Sequence, residues 1–142
     1  MTDQKVGTLD CRYFVLWSEP AISFDDVKLA GVDFGHSVLI DKSFNRADLR
    51  DGHFYDCRME GCRFLSTNLT RCDFRNTQMP FADFSNASVE GANFSGATLD
   101  FCDFSSAKGL TVEQVLESKS FKQAAFPEGV QRALEERGVK RD

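Results

Sequence analysis

The sequence lacks the features that would direct it to a membrane. No apolar run approaches the roughly 18 to 20 residues that a membrane-spanning helix needs, and residues 1–5 lack the apolar stretch of a signal peptide. A chain of 142 residues fits one domain with a single core. We therefore expect a one-domain cytoplasmic protein that does not contact a membrane.

Paired cysteines are also missing. The five cysteines form an odd set without a CxxC spacing, which argues against a disulfide framework and against a zinc site. We expect them to be small core residues in a reducing compartment, and we expect no metal and no cofactor. They are Cys11, Cys57, Cys62, Cys72 and Cys102.

An excess of positive charge is absent as well. The formal net charge is -5, which argues against a protein that binds nucleic acid directly through its phosphates. A protein partner with a basic or nucleic-acid-binding surface is the more natural match.

The sequence does contain a period of five residues. Every fifth residue from Phe24 to Phe104 is large and apolar, at 17 positions without a break, and the residue two places earlier is mostly small. A period of five fits neither a helix, which repeats at 3.6, nor a flat strand, which repeats at 2. The chain therefore has to turn a corner every five residues, as a solenoid does.

Central residues that lie four repeats apart are alike, which arranges them in columns. Two columns are phenylalanine and the two between them are aliphatic. They are Phe24, Phe44, Phe64, Phe84, Phe104; Phe34, Phe54, Phe74, Phe94; Leu29, Leu49, Leu69, Val89; and Leu39, Met59, Met79, Leu99. Stacked rungs lie about 4.7 to 4.9 Å apart, which allows phenyl rings to stack. We expect a filled core with no interior pocket for a substrate.

The repeating unit resembles the A-(D/N)-(L/F)-x-x motif of the pentapeptide-repeat family. It reads Ala-Asp-Phe-Ser-Asn at residues 82–86 and Ala-Asn-Phe-Ser-Gly at residues 92–96, and the resemblance covers about residues 22–107. The resemblance implies an all-β solenoid, a right-handed quadrilateral parallel β-helix of about four to five coils. The central large residue and the small residue two before it would then point inward.

Three segments follow from this pattern. Residues 1–21 are predicted to form an irregular N-terminal coil or cap, residues 22–107 the β-helix, and residues 108–142 a C-terminal helical segment. Leu9 and Phe14 continue the five-residue register. Trp17, with Tyr13 and Val15 nearby, is expected to cover the open end of the core.

The C-terminal segment contains two helix signals. Residues 111–114, Thr-Val-Glu-Gln, read as a capping box, while Pro127 is predicted at the first position of a second helix that Gly138 should end. An apolar stripe on the second helix consists of Val130, Ala133 and Leu134. We expect a short α-helical cap; the alternative is a homodimer contact through these helices.

Outward charges fall in columns with the same four-repeat spacing, where they predict cross-rung contacts that fix the register. The expected pairs are Asp26–Arg46, Lys28–Asp48, Asp51–Arg71, Arg63–Asp83 and a cation–π contact of Arg75 with Tyr55. The two histidines follow the same rule: His36 is expected beside Asp56, and His53 between Asp33 and Asp73. Neither has a nucleophile in its column, so we predict no enzymatic activity, and we favour a polar ladder at His53 over a metal site.

Charge is uneven along the rod. Residues 42–75 carry seven basic and five acidic residues, whereas residues 76–107 carry four acidic residues and no basic one. The four are Asp83, Glu90, Asp100 and Asp103. The resemblance implies a use for such a surface, because some members of the family resemble B-DNA and occupy the DNA-binding surface of a topoisomerase. Against mimicry, a duplex as long as the rod, about 20 Å, carries roughly 12 phosphate charges at about one per 1.7 Å. The net charge of the whole chain is only -5.

Phe81 and Phe101 take the same outward position in successive coils, beside Pro80, and should touch. Two interpretations fit. The pair is either an exposed anchor for a partner or is covered by the C-terminal segment through Leu116 or Phe121.

The sequence therefore predicts a non-enzymatic protein-binding protein. The first hypothesis is an inhibitor or decoy, a DNA mimic that acts on a nucleic-acid-binding enzyme such as a topoisomerase or a phage-defence or CRISPR-type nuclease complex. The alternative is a structural scaffold without DNA mimicry. The candidate partner-binding residues are Phe81, Asp83, Glu90, Asp100, Phe101 and Asp103.

Overall fold

The turns of the chain explain its five-residue period. In a computed structural model, which describes residues 9–15 and 22–140, the amide three residues after each central apolar residue donates to that residue's carbonyl, as Ala47 N does to Phe44 O at 3.2 Å. Arg46, the third residue of this four-residue turn, has a φ of 62°. This is the geometry of a type II turn, which needs a positive φ at its third residue. Each five-residue segment thus ends in a corner.

Successive coils stack through single-residue parallel bridges. The bridges join residues four repeats apart, as in the series Asp33, His53, Asp73, Asn93. Backbone hydrogen bonds run on both sides of each bridge: His53 N donates to Val32 O at 2.7 Å and Phe54 N to Asp73 O at 2.7 Å. Four five-residue segments therefore complete one coil of a parallel β-helical solenoid, and the corners leave room for only one bridging residue in each segment.

The core consists of the predicted columns. Phe64 stacks on Phe44 with ring centroids 5.3 Å apart and on Phe84 with centroids 5.0 Å apart. It meets Phe74 of the other phenylalanine column edge to face, at 6.0 Å and 78°. Both ring arrangements suit the quadrupole of the phenyl ring. The prediction of two phenylalanine ladders alternating with aliphatic ladders is confirmed.

The small inward position also satisfies backbone carbonyls. Cys57 Sγ donates to Phe34 O at 3.0 Å, and Thr67 Oγ1 donates to Phe44 O at 2.7 Å. The equivalent bond, to the carbonyl of the rung below, is made by Cys62, Cys72, Thr77 and Cys102. Four cysteines are therefore buried core residues, as predicted, and they have a hydrogen-bonding role that the sequence did not reveal.

The first coil does not keep the predicted register. Asp10 pairs with Asp33 and Val15 with Val38, so the spacing there is three positions longer than in the regular coils. Cys11 consequently takes the central position below Phe34, and Phe14 takes the small inward position below Ser37. The prediction that Leu9 and Phe14 continue the columns is wrong, because three extra residues fall between Val15 and the first regular coil.

The predicted N-terminal cover is also different. Tyr13 stacks on the outer side chain of His36, with ring centroids 5.2 Å apart, and both Tyr13 and Val15 are exposed. Neither residue covers the core: Tyr13 lies at an outward corner position against His36, and Val15 lies at an outward bridging position opposite Val38. Trp17 lies outside the described residues, so its role stays a prediction.

Two helices follow the regular coils. Helix α1 spans Val112–Leu116, and its Thr111 and Gln114 form the predicted capping box. Helix α2 spans Glu128–Glu136. Pro127 is its N-cap and not its first helical residue, a shift of one position. Neither these helices nor any other part of the described chain offers a helix long and apolar enough to cross a bilayer.

Stacking extends beyond the five-residue period. After α1 the chain returns to the solenoid, where Ser120 pairs with Thr98 and Ala125 with Asp103, two positions beyond the regular spacing. Phe126 then stacks on Phe104, with ring centroids 5.9 Å apart. Residue 107 therefore marks the end of the sequence period but not of the β-helical stack.

The apolar stripe of α2 packs inside the chain. Val130 and Leu134 are buried and Ala133 packs against the same core. The Gly138 amide donates to Glu135 O at 3.0 Å with a φ of 69°, as expected for a helix-ending glycine.

Candidate functional site

A ladder of outward residues runs along the corner that follows the Leu39 column: Asp41, Gly61, Phe81 and Phe101. Phe81 and Phe101 stack with ring centroids 4.8 Å apart and planes within 5°. Both rings face solvent, with 65% and 47% of each residue exposed. The interpretation that Phe121 covers them is wrong, because Phe121 packs against Phe126 at 5.9 Å, and Leu116 also leaves the pair exposed.

The backbone at both phenylalanines is unusual. Phe81 has a φ of 65° and Phe101 a φ of 61°. Left-handed backbone costs a residue with a Cβ about 1 to 2 kcal/mol, and it is rare for bulky side chains. Most other corners place glycine or a polar residue there. Strained residues of this kind cluster at functional sites, which makes the pair the strongest candidate on this surface.

Three of the predicted acidic residues surround this pair. Asp100 directly precedes Phe101, while Asp83 and Asp103 follow the two rings by two residues each and form a parallel bridge with one another. Five of the six predicted residues therefore lie around one corner. We call this set the acidic aromatic corner: Phe81, Asp83, Asp100, Phe101 and Asp103.

Glu90 does not belong to it. It lies at the turn that ends the Leu29-column segment, two corners away around the coil and thus diagonally opposite. There its backbone accepts a hydrogen bond from Arg71 N at 2.9 Å, and it lies close to Gly109. Glu90 was predicted to lie with the other acids because a sequence shows how charge is distributed along the chain and not around the coil.

The carboxylates of the corner also hold the turns. Asp83 Oδ1 accepts from Ser85 N at 2.9 Å and from Ser85 Oγ at 2.5 Å, and Asp103 makes the same two bonds with Ser105. Asn93 accepts from Ser95 N at 2.9 Å in the equivalent turn. A side-chain carbonyl is thus sufficient for the turn, and the negative charge of Asp83 and Asp103 is additional to it.

The extra rung brings residues that the sequence reading missed. Lys122 follows Asp100 in its column, and Lys122 N donates to Asp100 Oδ1 at 2.9 Å. The residues 124–126, Ala-Ala-Phe, repeat the small-x-Phe pattern and would have revealed this rung. The acidic stretch is therefore bordered by a lysine at its C-terminal end.

The predicted cross-rung pairs are partly present. Arg46 bonds Asp26 at 2.8 Å and Arg71 bonds Asp51 at 2.7 Å, and these hydrogen bonds lower the pKa of both aspartates. His36 Nδ1 lies 3.8 Å from Asp56 Oδ2, also as predicted.

Three other predicted contacts differ. Lys28–Asp48 and Arg63–Asp83 pair through their backbones but form no ion pair between these described side chains. Arg75 bonds Asp73 at 2.7 Å, within its own segment, so the predicted stacking on Tyr55 is wrong. His53 bridges Asp33 and Asp73 as a polar ladder. No group of three potential ligands in the described part of the chain is arranged to hold a metal ion.

Comparison with known families gives one match that covers most of the chain. Residues 22–108 match the pentapeptide repeat region family. No curated protein sequence matches the chain.

Similarity to a solved structure supports the fold. A pentapeptide repeat protein from the thylakoid lumen of Arabidopsis thaliana has a TM-score of 0.67 and 25% identity, over 78% of this chain and 76% of that one. Full-length QnrB1, a plasmid-mediated fluoroquinolone resistance protein, is 17% identical over 94% and 89% of the two chains, with a TM-score of 0.32. A pentapeptide repeat protein from the cyanobacterium Cyanothece 51142 is 14% identical over 84% and 85%, also with a TM-score of 0.32. At TM-scores this low, the last two structures do not bear on the fold of this chain.

Proposed function

This chain belongs to the pentapeptide-repeat family, and on that premise we propose that it is a non-enzymatic protein-binding protein whose partner-binding surface is the acidic aromatic corner. The observation that carries the proposal is the exposed stack of Phe81 on Phe101. The fold gains little from two phenylalanines in left-handed backbone on the outside of the rod. Aromatic residues dominate interface energetics, so a partner is the natural reason for them.

The partner that we propose is a nucleic-acid-binding enzyme, which the protein inhibits as a decoy. Support comes from the local density of charge. Asp83, Asp100 and Asp103 lie within two adjacent rungs, which are about 4.8 Å apart. Duplex DNA carries about three charges in that length. This similar local charge density supports the decoy proposal, although the net charge of -5 is lower than that of DNA along the whole rod.

A scaffold without mimicry is the second candidate. The observation that favours it is the apolar character of the ring stack, which would bind an apolar surface regardless of salt. The two candidates differ in the role of the carboxylates: a decoy depends on them, and a scaffold does not.

We also propose that the protein acts in the cytoplasm. The support is that all five cysteines are unpaired in a fold that buries four of them, as is usual in a reducing compartment.

Affinity capture from cell lysate distinguishes the two candidates. The baits are the wild type, a triple variant Asp83→Asn, Asp100→Asn, Asp103→Asn, and a double variant Phe81→Ser, Phe101→Ser. Asn93 already makes the turn bond, so the triple variant is expected to fold. Glu90→Gln is the matched control, because it removes a charge at the diagonally opposite corner.

If the protein is a decoy, the wild type and Glu90→Gln capture a nucleic-acid-binding enzyme and the triple variant does not. Capture by the wild type is also lost at moderate salt and in the presence of competing duplex DNA. If the protein is a scaffold, the triple variant still captures the partner and the double phenylalanine variant does not. Unchanged capture by all four baits would overturn the assignment of the corner.

A further inference from the structure

The corner ladder is interrupted directly below Phe81. Gly61 occupies this rung and has no side chain, so one face of the Phe81 ring has no neighbour in the column, whereas the other stacks on Phe101. This explains why Phe81 is more exposed than Phe101, 65% against 47%. We call the space between Asp41 and the Phe81 ring the Gly61 notch.

The floor of the notch is a carboxylate. Asp41 lies one rung below Gly61, and its Oδ1 reaches up beside the Gly61 Cα, into the position that a Cβ would take. Among the described residues the Asp41 carboxylate has no hydrogen bond and no ion pair. The corresponding carboxylates of Asp26 and Asp51, at other corners, are each occupied by an arginine of the next rung.

The comparison with those corners indicates what is missing. At them, an aspartate is followed one rung later by Arg46 or Arg71, whose guanidinium bonds the carboxylate through two nitrogen atoms. At the notch the same aspartate is followed by glycine, and the rung after that supplies an aromatic face.

We propose that the Gly61 notch receives an arginine side chain from the partner protein, which stacks on the free face of Phe81 and pairs with Asp41. This inference rests on the proposed function and names the chemistry that the partner brings to the corner. Arginine suits the notch better than lysine, because its planar guanidinium can stack on a ring and bond a carboxylate at the same time.

The surrounding charges favour a cation. Asp83 and Asp100 flank Phe81, and Asp41 lies beneath it. Glu60, next to Gly61, is bonded by Arg58 at 3.2 Å. The opposing charges at the surface are Arg63, two residues past Gly61, and Lys122, which follows Asp100 in its column. Lys42, next to Asp41, is buried. The three aspartates outnumber the two surface cations.

Peptides test the preference directly. The isotope-labelled full-length protein is titrated with hexa-arginine and with hexa-lysine at equal, low salt, and backbone amide shifts are followed by NMR. Hexa-arginine is expected to shift the amides of Gly61 and Phe81 most, and to bind about two- to fivefold more tightly than hexa-lysine, as stacking on an exposed ring allows. Equal affinities, or shifts centred elsewhere, would overturn the proposal.

A matched pair of variants removes the effect of overall charge. Asp41→Asn and Asp56→Asn each remove one negative charge at a corner with positive φ, 60° and 57°, which asparagine tolerates. Only Asp41→Asn is expected to weaken hexa-arginine binding, by about two- to fivefold. Equal weakening by the two variants would show general attraction and no notch.

Affinity capture distinguishes failure of the arginine site from failure of the partner-binding corner. If Asp41→Asn still captures the cellular partner at full strength while the Phe81→Ser, Phe101→Ser variant does not, the arginine site fails and the partner-binding corner stands. If neither variant affects capture, both fail.

Discussion

Phe64 and Phe84 are four repeats apart in the chain, yet their rings stack with centroids 5.0 Å apart and planes 15° from parallel. The relationship repeats along the column, since Phe44 stacks on Phe64 from the other side at 5.3 Å. A ring in the middle of the column thus contacts two partners face to face and a third, Phe74, edge to face. Its loss would leave a cavity that closed backbone rungs cannot collapse to fill.

Phe64→Ala is therefore expected to lower the free energy of unfolding by roughly 3 to 5 kcal/mol. The measurement is urea denaturation followed by circular dichroism. Leu65→Ala is the control, because the neighbouring side chain lies at the turn and is only half-buried. A loss below about 1 kcal/mol for Phe64→Ala would contradict the stacked column.

The repeat region could be predicted from the sequence because each position there has one physical requirement. A central position must fill the core, and the position two before it must be small, so the period and the columns follow. The same rule gave a wrong prediction for the first coil. Leu9 and Phe14 satisfy the period by coincidence, while three extra residues shift Cys11 to the level of Phe34. An insertion of this kind changes no single residue's suitability for a core.

The candidate site was predicted in part. The four-repeat spacing placed Phe81 against Phe101 correctly, because both occupy the same corner position. It did not reveal their exposure, which depends on where Phe121 packs after an irregular helical segment. Nor did it reveal the Gly61 notch, since a glycine at a corner reads as ordinary turn chemistry until the free Phe81 face above it is known.

A second prediction separates function from stability at the corner. The double variant Phe81→Asn, Phe101→Asn removes one stacked pair, worth about 0.5 to 1.5 kcal/mol, and relieves left-handed strain of about 1 to 2 kcal/mol at each residue. We expect the free energy of unfolding to stay unchanged or to rise by up to about 2 kcal/mol. A fall of more than about 1 kcal/mol in denaturation would show that the pair serves the fold and would weaken its assignment as an interface.

A third prediction concerns alkaline pH. Burial raises the pKa of Cys57, Cys72 and Cys102 from 9.0 to about 12. Folded thiols thus keep protons that unfolded thiols release, so this stability is complete below about pH 9 and is lost as the pH rises toward about 12. Each thiol contributes a slope of up to about 1.4 kcal/mol per pH unit in that window.

Cys72→Ala isolates one of these contributions. Alanine already occupies the same column at Ala92, so the variant is expected to fold. Between pH 8 and pH 10.5 its unfolding free energy should fall less steeply than that of the wild type, by up to about 1.4 kcal/mol per pH unit above pH 9. Parallel curves for the two proteins would show that the thiol is not buried as described.

The last prediction concerns how α1 is held on the solenoid. Gln114 Nε2 donates to Val89 O at 2.9 Å and to Ala92 O at 2.8 Å, while its Oε1 accepts from Thr111 N at 2.7 Å. One side chain therefore completes the capping box and also binds two carbonyls of the rung below. Gln114→Glu keeps the acceptor for Thr111 but replaces both donations with a carboxylate that faces two carbonyl oxygens.

We expect Gln114→Glu to lower the free energy of unfolding by roughly 1 to 3 kcal/mol at pH 7, as for loss of the hydrogen-bond partners of buried groups. The two carbonyls should raise the pKa of the new carboxyl, so this loss is present at neutral pH and shrinks as the pH falls and the carboxyl is protonated. Gln78→Glu is the control, because the same change is made on an exposed side chain. Equal stability curves for the two variants from pH 4 to pH 7 would mean that Gln114 does not anchor the helix, and that burial of Val112 and Val115 alone holds it in place.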